Sequence, residues 1–327
     1  MYDGGTLIYE GSVDPNLVDT GIIDTYPVEY TYGDADGSGY LKVIYSVEEK
    51  PNDYGPRPDV PSSVDLNVYY ASVGNKTGAE LKNSLYTILR SYTMVSYGDA
   101  RYILETSDEH QTNPGYFYTI YDDPSDGYEV NVWNGTVVNR EHVWPNSYLG
   151  VPSVGNSDKN IASDLHNLRI CRQAINSTRS NRYFNNGTGS RRQTVGSYAF
   201  YPGDDHRGDV ARIMFYMLVM YPELKLSNLE SEILDGTSYT SSMVTMGLLD
   251  VLIEWHSLDP VSDFEMKRNN VIYANQGNRN PFIDRPYYVE RLFSVAVTKH
   301  GDNSYTVSIK TIYVYDPYLD RKQRYTN

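Results

Sequence analysis

The stretch Arg140-Glu-His-Val-Trp-Pro145 decides how the rest of this sequence is interpreted. The turn signal Asn134-Gly135 precedes it. The residues after this turn have the pattern of a short strand, which is predicted over 136–143. Successive side chains of a strand point to opposite faces. The pattern therefore predicts that Glu141 and His142 project from opposite sides of one strand.

Two polar runs follow downstream, Asp164-Leu-His-Asn167 and Asn176-Ser-Thr-Arg-Ser-Asn181. A polar helix is predicted over 172–184, because residues spaced by three and four positions lie on one helix face. That face carries Arg172, Asn176, Arg179 and Tyr183. A strand, a loop and a helix are thus expected to surround one candidate site.

The residue types at this site suit the hydrolysis of a phosphodiester, which needs a base to take a proton from water and a cation to offset developing charge. A neutral histidine accepts a proton near pH 7, so His142 is the candidate base. Glu141 and Asn176 offer one carboxylate and one amide oxygen, the ligands that a hard cation such as Mg²⁺ prefers. Zinc would require more nitrogen or sulfur ligands.

The charge distribution bears on whether the substrate is a nucleic acid. The 327 residues have a formal net charge of −14, which disfavours a polyanionic partner. No Asp or Glu occurs over 165–203, however, and six arginines fall in that window: Arg169, Arg172, Arg179, Arg182, Arg191 and Arg192. Such an island could hold an anion, or its arginines could pair with acids elsewhere in the fold.

Composition limits the class of protein. Hydrophobic residues make up 40% and charged residues 21%, which is typical of a globular chain, and no apolar run is as long as a membrane span. The single cysteine, Cys171, excludes an internal disulfide. The first residues lack the pattern of an export signal, so we expect that any such signal was cleaved or never present. Abundant Tyr and Asn favour a secreted or cell-surface protein.

Taken together, these spaced motifs resemble bacterial endonuclease I, a secreted or periplasmic group of the His-Me finger (ββα-metal) nucleases. Later blocks are also similar to that family: Arg207-Gly-Asp-Val-Ala-Arg212, Trp255-His256 with Asp259-Pro-Val261, and Gln276-Gly-Asn-Arg-Asn-Pro-Phe-Ile-Asp284. The resemblance extends over about 68–292.

The resemblance implies an Mg²⁺-dependent endonuclease, with Mn²⁺ or Ca²⁺ as alternative metals, in which His142 is the general base and Glu141 and Asn176 bind the metal. It further implies cleavage of DNA or RNA with little sequence preference, leaving 5′-phosphate and 3′-hydroxyl ends. Four residues are expected to support the site through hydrogen bonds: Asp164, His166, Asn167 and Asn181.

One departure from the family concerns the phosphate-binding arginine. Better-studied members carry it in the loop after the base, and here the loop over 146–163 contains no arginine. Arg179 is our first replacement, as a catalytic residue that contacts phosphate. Arg169 or Arg172 is the next, and together with Arg182 they are expected to bind the substrate.

The predicted fold is α+β, with a ββα-metal finger inside a largely helical nuclease domain. We expect a β-rich N-terminal extension over 1–65, the nuclease domain over 66–295, and a C-terminal β-hairpin tail over 296–327. Further helices are predicted over 77–92, where Thr77 and Glu80 form a capping box, and over 210–220, 244–255 and 261–273. Strands are predicted over 116–121 and 128–133.

Several alternatives are open from the sequence alone. The chain could be a catalytically silent nucleic-acid-binding or adhesion protein that retains the fold, or an RNA-preferring nuclease. Arg268, Asn278 and Arg279 could line a substrate groove or satisfy buried backbone groups. Residues 34–39 resemble the start of a calcium loop, but a β-turn is favoured because Tyr45 occupies the position of the final Glu.

Overall fold

The computed structural model describes residues 64–234 and 244–293, together with the strand residues 297–299 and 305–307. The helices are α1 (Leu66–Tyr69), α2 (Gly78–Leu89), α3 (Tyr97–Ser107), α4 (Gln173–Arg179), α5 (Arg207–Met220), α6 (Glu230–Leu234), α7 (Leu249–Leu258), α8 (Asp263–Gln276), α9 (Pro281–Asp284) and α10 (Tyr288–Leu292). The strands are β1 (Val138–His142), β2 (Leu168–Arg172), β3 (Tyr183–Phe184), β4 (Gln193–Val195), β5 (Ala199–Tyr201), β6 (Lys225–Leu226), β7 (Thr245–Met246), β8 (Val297–Lys299) and β9 (Tyr305–Val307).

Helices and small sheets are mixed in the described ranges, so the predicted α+β class is confirmed. The N-terminal extension and the possible calcium loop over 34–39 lie outside the described residues. At the other end of the chain, β8 and β9 pair antiparallel, as expected of a hairpin. In the part of the chain that is described, no helix combines the length and the apolar character that crossing a bilayer requires.

The antiparallel pair β1 and β2, followed at once by α4, forms the centre of the candidate site. In the pairing register Glu141 lies opposite Arg169 and His142 opposite Leu168. The helix is shorter than the prediction over 172–184. It ends at Arg179, because Ser180 has a positive φ of 53° and the chain then enters β3.

Helix α5 is the buried centre of the core. All of its residues except Arg207 and Leu218 are buried, and it packs against α2, α7 and α9. It begins three residues before the predicted start at 210 and ends at 220 as predicted. Because nearly all of its residues are buried, burial dominates its stability rather than a single amphipathic stripe.

Other predicted elements differ in detail. Thr77 is the N-cap of α2, but its side chain makes no capping hydrogen bond, so the predicted capping box is wrong. Helix α7 starts at 249 rather than 244, because the preceding residues form β7 and pair in parallel with β6. The strands predicted over 116–121 and 128–133 reduce to isolated bridges, including Tyr116 with Val130.

Candidate active site

Glu141 lies on β1 with its carboxylate buried and one oxygen held on two sides. Its Oε1 accepts a hydrogen bond from the Tyr121 hydroxyl at 2.9 Å and lies 3.0 Å from Nη1 of Arg179. Neither of these two contacts involves Oε2, and the backbone N–H of His142 also acts on the carboxylate. Burial raises the pKa of Glu141 to about 7, with Arg179 and Tyr121 acting in the opposite direction. The side chain therefore has one constrained oxygen and one that is available to a ligand.

Asn176 presents a comparable arrangement from α4. Its Nδ2 donates to Oδ1 of Asn139 at 2.7 Å and, more weakly, to the carbonyl of Arg140 at 3.4 Å. These bonds set the orientation of the amide, and Oδ1 of Asn176 accepts no hydrogen bond from the described residues. Asn139 and Glu141 are two residues apart on β1, so their side chains lie on the same face of the strand.

The donor set at this place fits a hard cation. One carboxylate oxygen and one amide oxygen, each oriented by a neighbour and otherwise uncommitted, suit Mg²⁺ with water completing its shell. Within 64–234, 244–293 and the two C-terminal strands, no group of three or more His, Cys, Asp or Glu residues is arranged to hold a metal. The described residues therefore contain no zinc-type cluster.

His142 is half-buried at the end of β1, and its two ring nitrogens differ in environment. Nε2 lies 2.8 Å from the carbonyl oxygen of Ala162, which can only accept, so Nε2 carries the proton. Nδ1 is then the basic nitrogen. Burial lowers the pKa of His142 to about 4 against the effect of the Ala162 bond, so the ring is neutral at pH 7.

Arg179 lies beside Glu141 but has no exposed surface. Besides its ion pair, it donates from Nη1 to the carbonyl of His142 at 2.9 Å and from Nη2 to that of Val143 at 2.6 Å, and its guanidinium packs over the Phe184 ring. These contacts join α4 to the end of β1. They support a role in positioning Glu141 more than a direct contact with phosphate.

The other arginines of the basic island mostly pair with acids. Arg169 is buried between Asp108 and Asp209, at 3.0 and 3.1 Å. The remaining pairs are Arg172 with Asp122 and Glu129, Arg191 with Asp123, and Arg192 with Asp126. Arg182 donates to the carbonyl of Thr178 and has no ion pair with a described residue. The structure thus favours acid pairing for most of the island.

The four residues expected to support the site occupy three places: the hairpin, the buried core and the surface. Asn167 bridges the hairpin, donating to the carbonyl of Trp144 at 3.0 Å and accepting its N–H at 2.7 Å. Asp164 accepts hydrogen bonds from four groups in the buried core. His166 is buried and contacts the carbonyl of Asn278, whereas Asn181 makes a long bond to Ser147 near the surface.

The later motifs lie in the core. Arg268, Asn278 and Arg279 are all buried, and the first two donate to backbone carbonyls, which favours the structural interpretation of these residues. Arg279 pairs with Asp284 at 2.7 Å. The side chains of Trp255 and His256 are likewise buried.

Sequence reasoning missed three groups that orient the site, namely Tyr121, Asn139 and the Ala162 carbonyl. Asn139 could have been found, because strand alternation places it on the face of Glu141. Tyr121 precedes Glu141 by 20 residues and carries no local signal. The Ala162 carbonyl is a backbone group, so no residue type identifies it.

Comparison with known proteins finds a family model and relatives that are named as nucleases. The family model described as Endonuclease I matches residues 77–287. Among curated proteins, the chain is 37% identical to the extracellular ribonuclease of Bacillus subtilis (strain 168) over 240 residues, covering 70% of this chain and 79% of that protein. It is 34% identical to the extracellular ribonuclease of Bacillus amyloliquefaciens over 250 residues, covering 72% and 81%. Endonuclease-1 of Buchnera aphidicola subsp. Baizongia pistaciae (strain Bp) is 28% identical over 133 residues, covering 38% and 46%.

Proposed function

Since this chain belongs to the Endonuclease I family, we propose that it is a metal-dependent endonuclease that hydrolyses phosphodiester bonds in RNA and DNA, with RNA preferred. The observation that carries the proposal is a shared feature of three side chains. Glu141, Asn176 and His142 each have one polar atom held by the protein and one atom left for a ligand, a water or a substrate.

The protein's own contribution to the reaction is orientation and proton transfer. His142 is neutral and directs Nδ1 away from the carbonyl that holds Nε2, so Nδ1 accepts the proton of the attacking water. Tyr121 and Arg179 together hold one oxygen of Glu141. Because these groups are fixed before substrate arrives, little reorganisation is required during the reaction.

Oε2 of Glu141 and Oδ1 of Asn176 would hold the metal, for which Mg²⁺ is our first choice and Mn²⁺ or Ca²⁺ are alternatives. A divalent cation bound there supplies Lewis acidity and offsets the charge that develops on the phosphate. The ends expected are a 5′-phosphate and a 3′-hydroxyl. In this assignment Arg179 positions Glu141, in place of the phosphate contact that we expected from the sequence.

Two features bear on substrate and location. The Bacillus relatives are named extracellular ribonucleases, which supports RNA as the preferred substrate and secretion as the location of this protein. Contacts to phosphate rather than to bases give little sequence preference. We therefore expect cleavage at many sites along a strand.

The test is cleavage of single-stranded RNA and plasmid DNA by the wild-type chain with Mg²⁺ and with EDTA, beside His142→Ala, Glu141→Gln and Asn176→Ala. We expect metal-dependent cleavage by wild type, a loss of at least about 10²-fold for His142→Ala, consistent with removal of a general base, and a raised metal requirement for the other two variants.

Two matched variants separate chemistry from folding. Glu265→Gln alters another buried carboxylate paired with an arginine, Arg212, and Asn275→Ala removes an exposed amide that donates to a backbone carbonyl of its own helix, α8. Both should retain cleavage below their unfolding temperatures. If folded wild type bound RNA but never cut it with any divalent metal, the silent binding protein would be the correct alternative.

A further inference from the structure

Arg140 occupies an unusual position beside the candidate site. It lies two residues before His142 on β1, so both side chains project from the same face of the strand. The Tyr97 ring contacts both of them: it stacks on the His142 ring at 5.4 Å between centroids, and the Arg140 guanidinium lies 3.5 Å from its centre. Trp133 contacts the guanidinium from 5.5 Å.

The charge of Arg140 is not neutralised by the described residues. Its guanidinium donates to the carbonyl of Tyr97 and weakly to Oδ1 of Asn156, and neither group is charged. Arg101 is near enough for its positive charge to act on Arg140. The nearby acid Glu105, on the same helix as Arg101, accepts a hydrogen bond from the backbone N–H of Trp133 and forms no ion pair with Arg140. A half-buried cation with a like-charged neighbour and no acid suits an anionic ligand.

This situation contrasts with that of Arg169, Arg172 and Arg179, the three arginines considered above as the phosphate contact. Arg169 and Arg172 each contact two carboxylates, and Arg179 is buried against Glu141. A phosphate would have to displace those acids to reach any of the three. A phosphate could contact Arg140 without displacing a paired acid, and Arg140 lies on the same face of β1 as His142.

We propose that Arg140 is the phosphate-binding arginine of this protein, held by Tyr97 and Trp133 so that its free N–H groups bind a phosphodiester of the substrate strand next to His142. The assignment rests on the proposed function, since it takes the substrate to be a nucleic acid. Contact of a guanidinium with aromatic rings limits its rotation and leaves N–H groups for hydrogen bonds to phosphate oxygens.

The test measures binding without cleavage. A fluorescein-labelled single-stranded RNA is titrated into the His142→Ala protein, with Mg²⁺ present, over a range of KCl concentrations, and the Kd is read by anisotropy. Adding Arg140→Gln should weaken binding about tenfold at moderate salt and reduce the slope of log K against log salt by about 0.7, the value for one lost contact to a single strand. Arg140→Lys retains the charge and should keep most of the slope.

The control is Arg90→Gln in the same background, because Arg90 also stacks on a tyrosine, Tyr86, at 5.0 Å but lies at the end of α2. Thermal unfolding establishes that each variant is folded. If Arg140→Gln does not fold, Arg140→Met, which keeps an apolar side chain against the Tyr97 ring without the charge, replaces it and should lower the slope as well. The proposal would be overturned if the folded Arg140 variant had the same salt slope and the same Kd as the Arg90→Gln control.

Failure of this inference is distinguishable from failure of the proposed function. If wild type cleaves RNA and Arg140→Gln leaves binding unchanged, the nuclease stands and the assignment of Arg140 is wrong. If wild type never cleaves but Arg140→Gln lowers the salt slope, the phosphate contact stands and the catalytic proposal is wrong.

Discussion

Arg179 and Glu141 form a buried ion pair in which Nη1 lies 3.0 Å from Oε1, and the Tyr121 hydroxyl donates to the same oxygen. The pair joins the helix after the hairpin to the strand before it. Its consequence is that one carboxylate oxygen is immobilised while the other stays available. Groups that hold a metal ligand in this way commonly change metal affinity 10- to 100-fold when they are removed.

Replacing Tyr121 by Phe tests this arrangement directly. The substitution removes one hydrogen bond to Glu141 and leaves the ring in place, so we expect the Mg²⁺ concentration for half-maximal cleavage to rise about tenfold. The matched control is Tyr216→Phe, which removes a buried hydroxyl that donates to Asp164 at 2.9 Å. That variant should lose about 1–3 kcal/mol of stability with its Mg²⁺ requirement unchanged. Equal Mg²⁺ requirements for the two variants would refute the role of Tyr121.

The protonation state of His142 gives a prediction that needs no substrate. Because Nε2 donates to Ala162 and burial lowers the pKa to about 4, the ring should be neutral at pH 7 with its proton on Nε2, and should stay so down to about pH 5. Long-range ¹H–¹⁵N spectra of the imidazoles, assigned by comparison with His142→Ala, report this. A proton found on Nδ1 would exclude that nitrogen as the base.

Asp108 is expected to be a main stabilising residue of the core. It is fully buried and contacts both Arg169 and Arg268 at 3.0 Å. Asp108→Asn would leave two buried guanidinium groups without their shared carboxylate, which should cost about 3–5 kcal/mol. Urea unfolding measured by circular dichroism gives the free energy of unfolding directly. A loss below about 1 kcal/mol would mean that the ion pairs contribute little.

The contribution of Asp108 should also depend on pH in a definite direction. Burial alone would raise the pKa of its carboxyl, but Arg169, Arg268 and the N–H of Ile170 bring it below the usual value. A carboxyl with a lowered folded pKa stabilises the fold above its unfolded pKa of about 3.9. The stability difference between wild type and Asp108→Asn should therefore be constant from pH 7 to 5 and shrink as the pH falls below about 4.

Cys171 provides a probe of the hairpin. The only thiol in the sequence lies on β2, fully buried, and burial raises its pKa well above the usual range. Native protein at pH 8 should therefore react with Ellman's reagent far more slowly than protein in urea, where one thiol per chain should titrate rapidly. Rapid reaction of the folded protein would show that β2 opens easily.

The sequence alone determined the parts of this protein that depend on local pattern. The Glu141-His142 pair on a strand follows from the turn signal and from alternation along the chain, and Asn176 on the next helix follows from helical spacing. The apolar run of α5 likewise predicted a buried helix. The ordered motifs were also sufficient to indicate the family, because their spacing is read directly along the chain.

Only the tertiary structure decided what each charge is for. Arg169 contacts Asp108, which lies 61 residues earlier in the sequence, and the six arginines of the island could not be separated into paired and unpaired groups without such partners. Tyr121 and the Ala162 carbonyl were hidden for the same reason. A hydrogen bond or an ion pair depends on distance in space, and a sequence pattern reports only distance along the chain, so the orientation of Glu141 and His142 and the freedom of Arg140 became visible only in the folded protein.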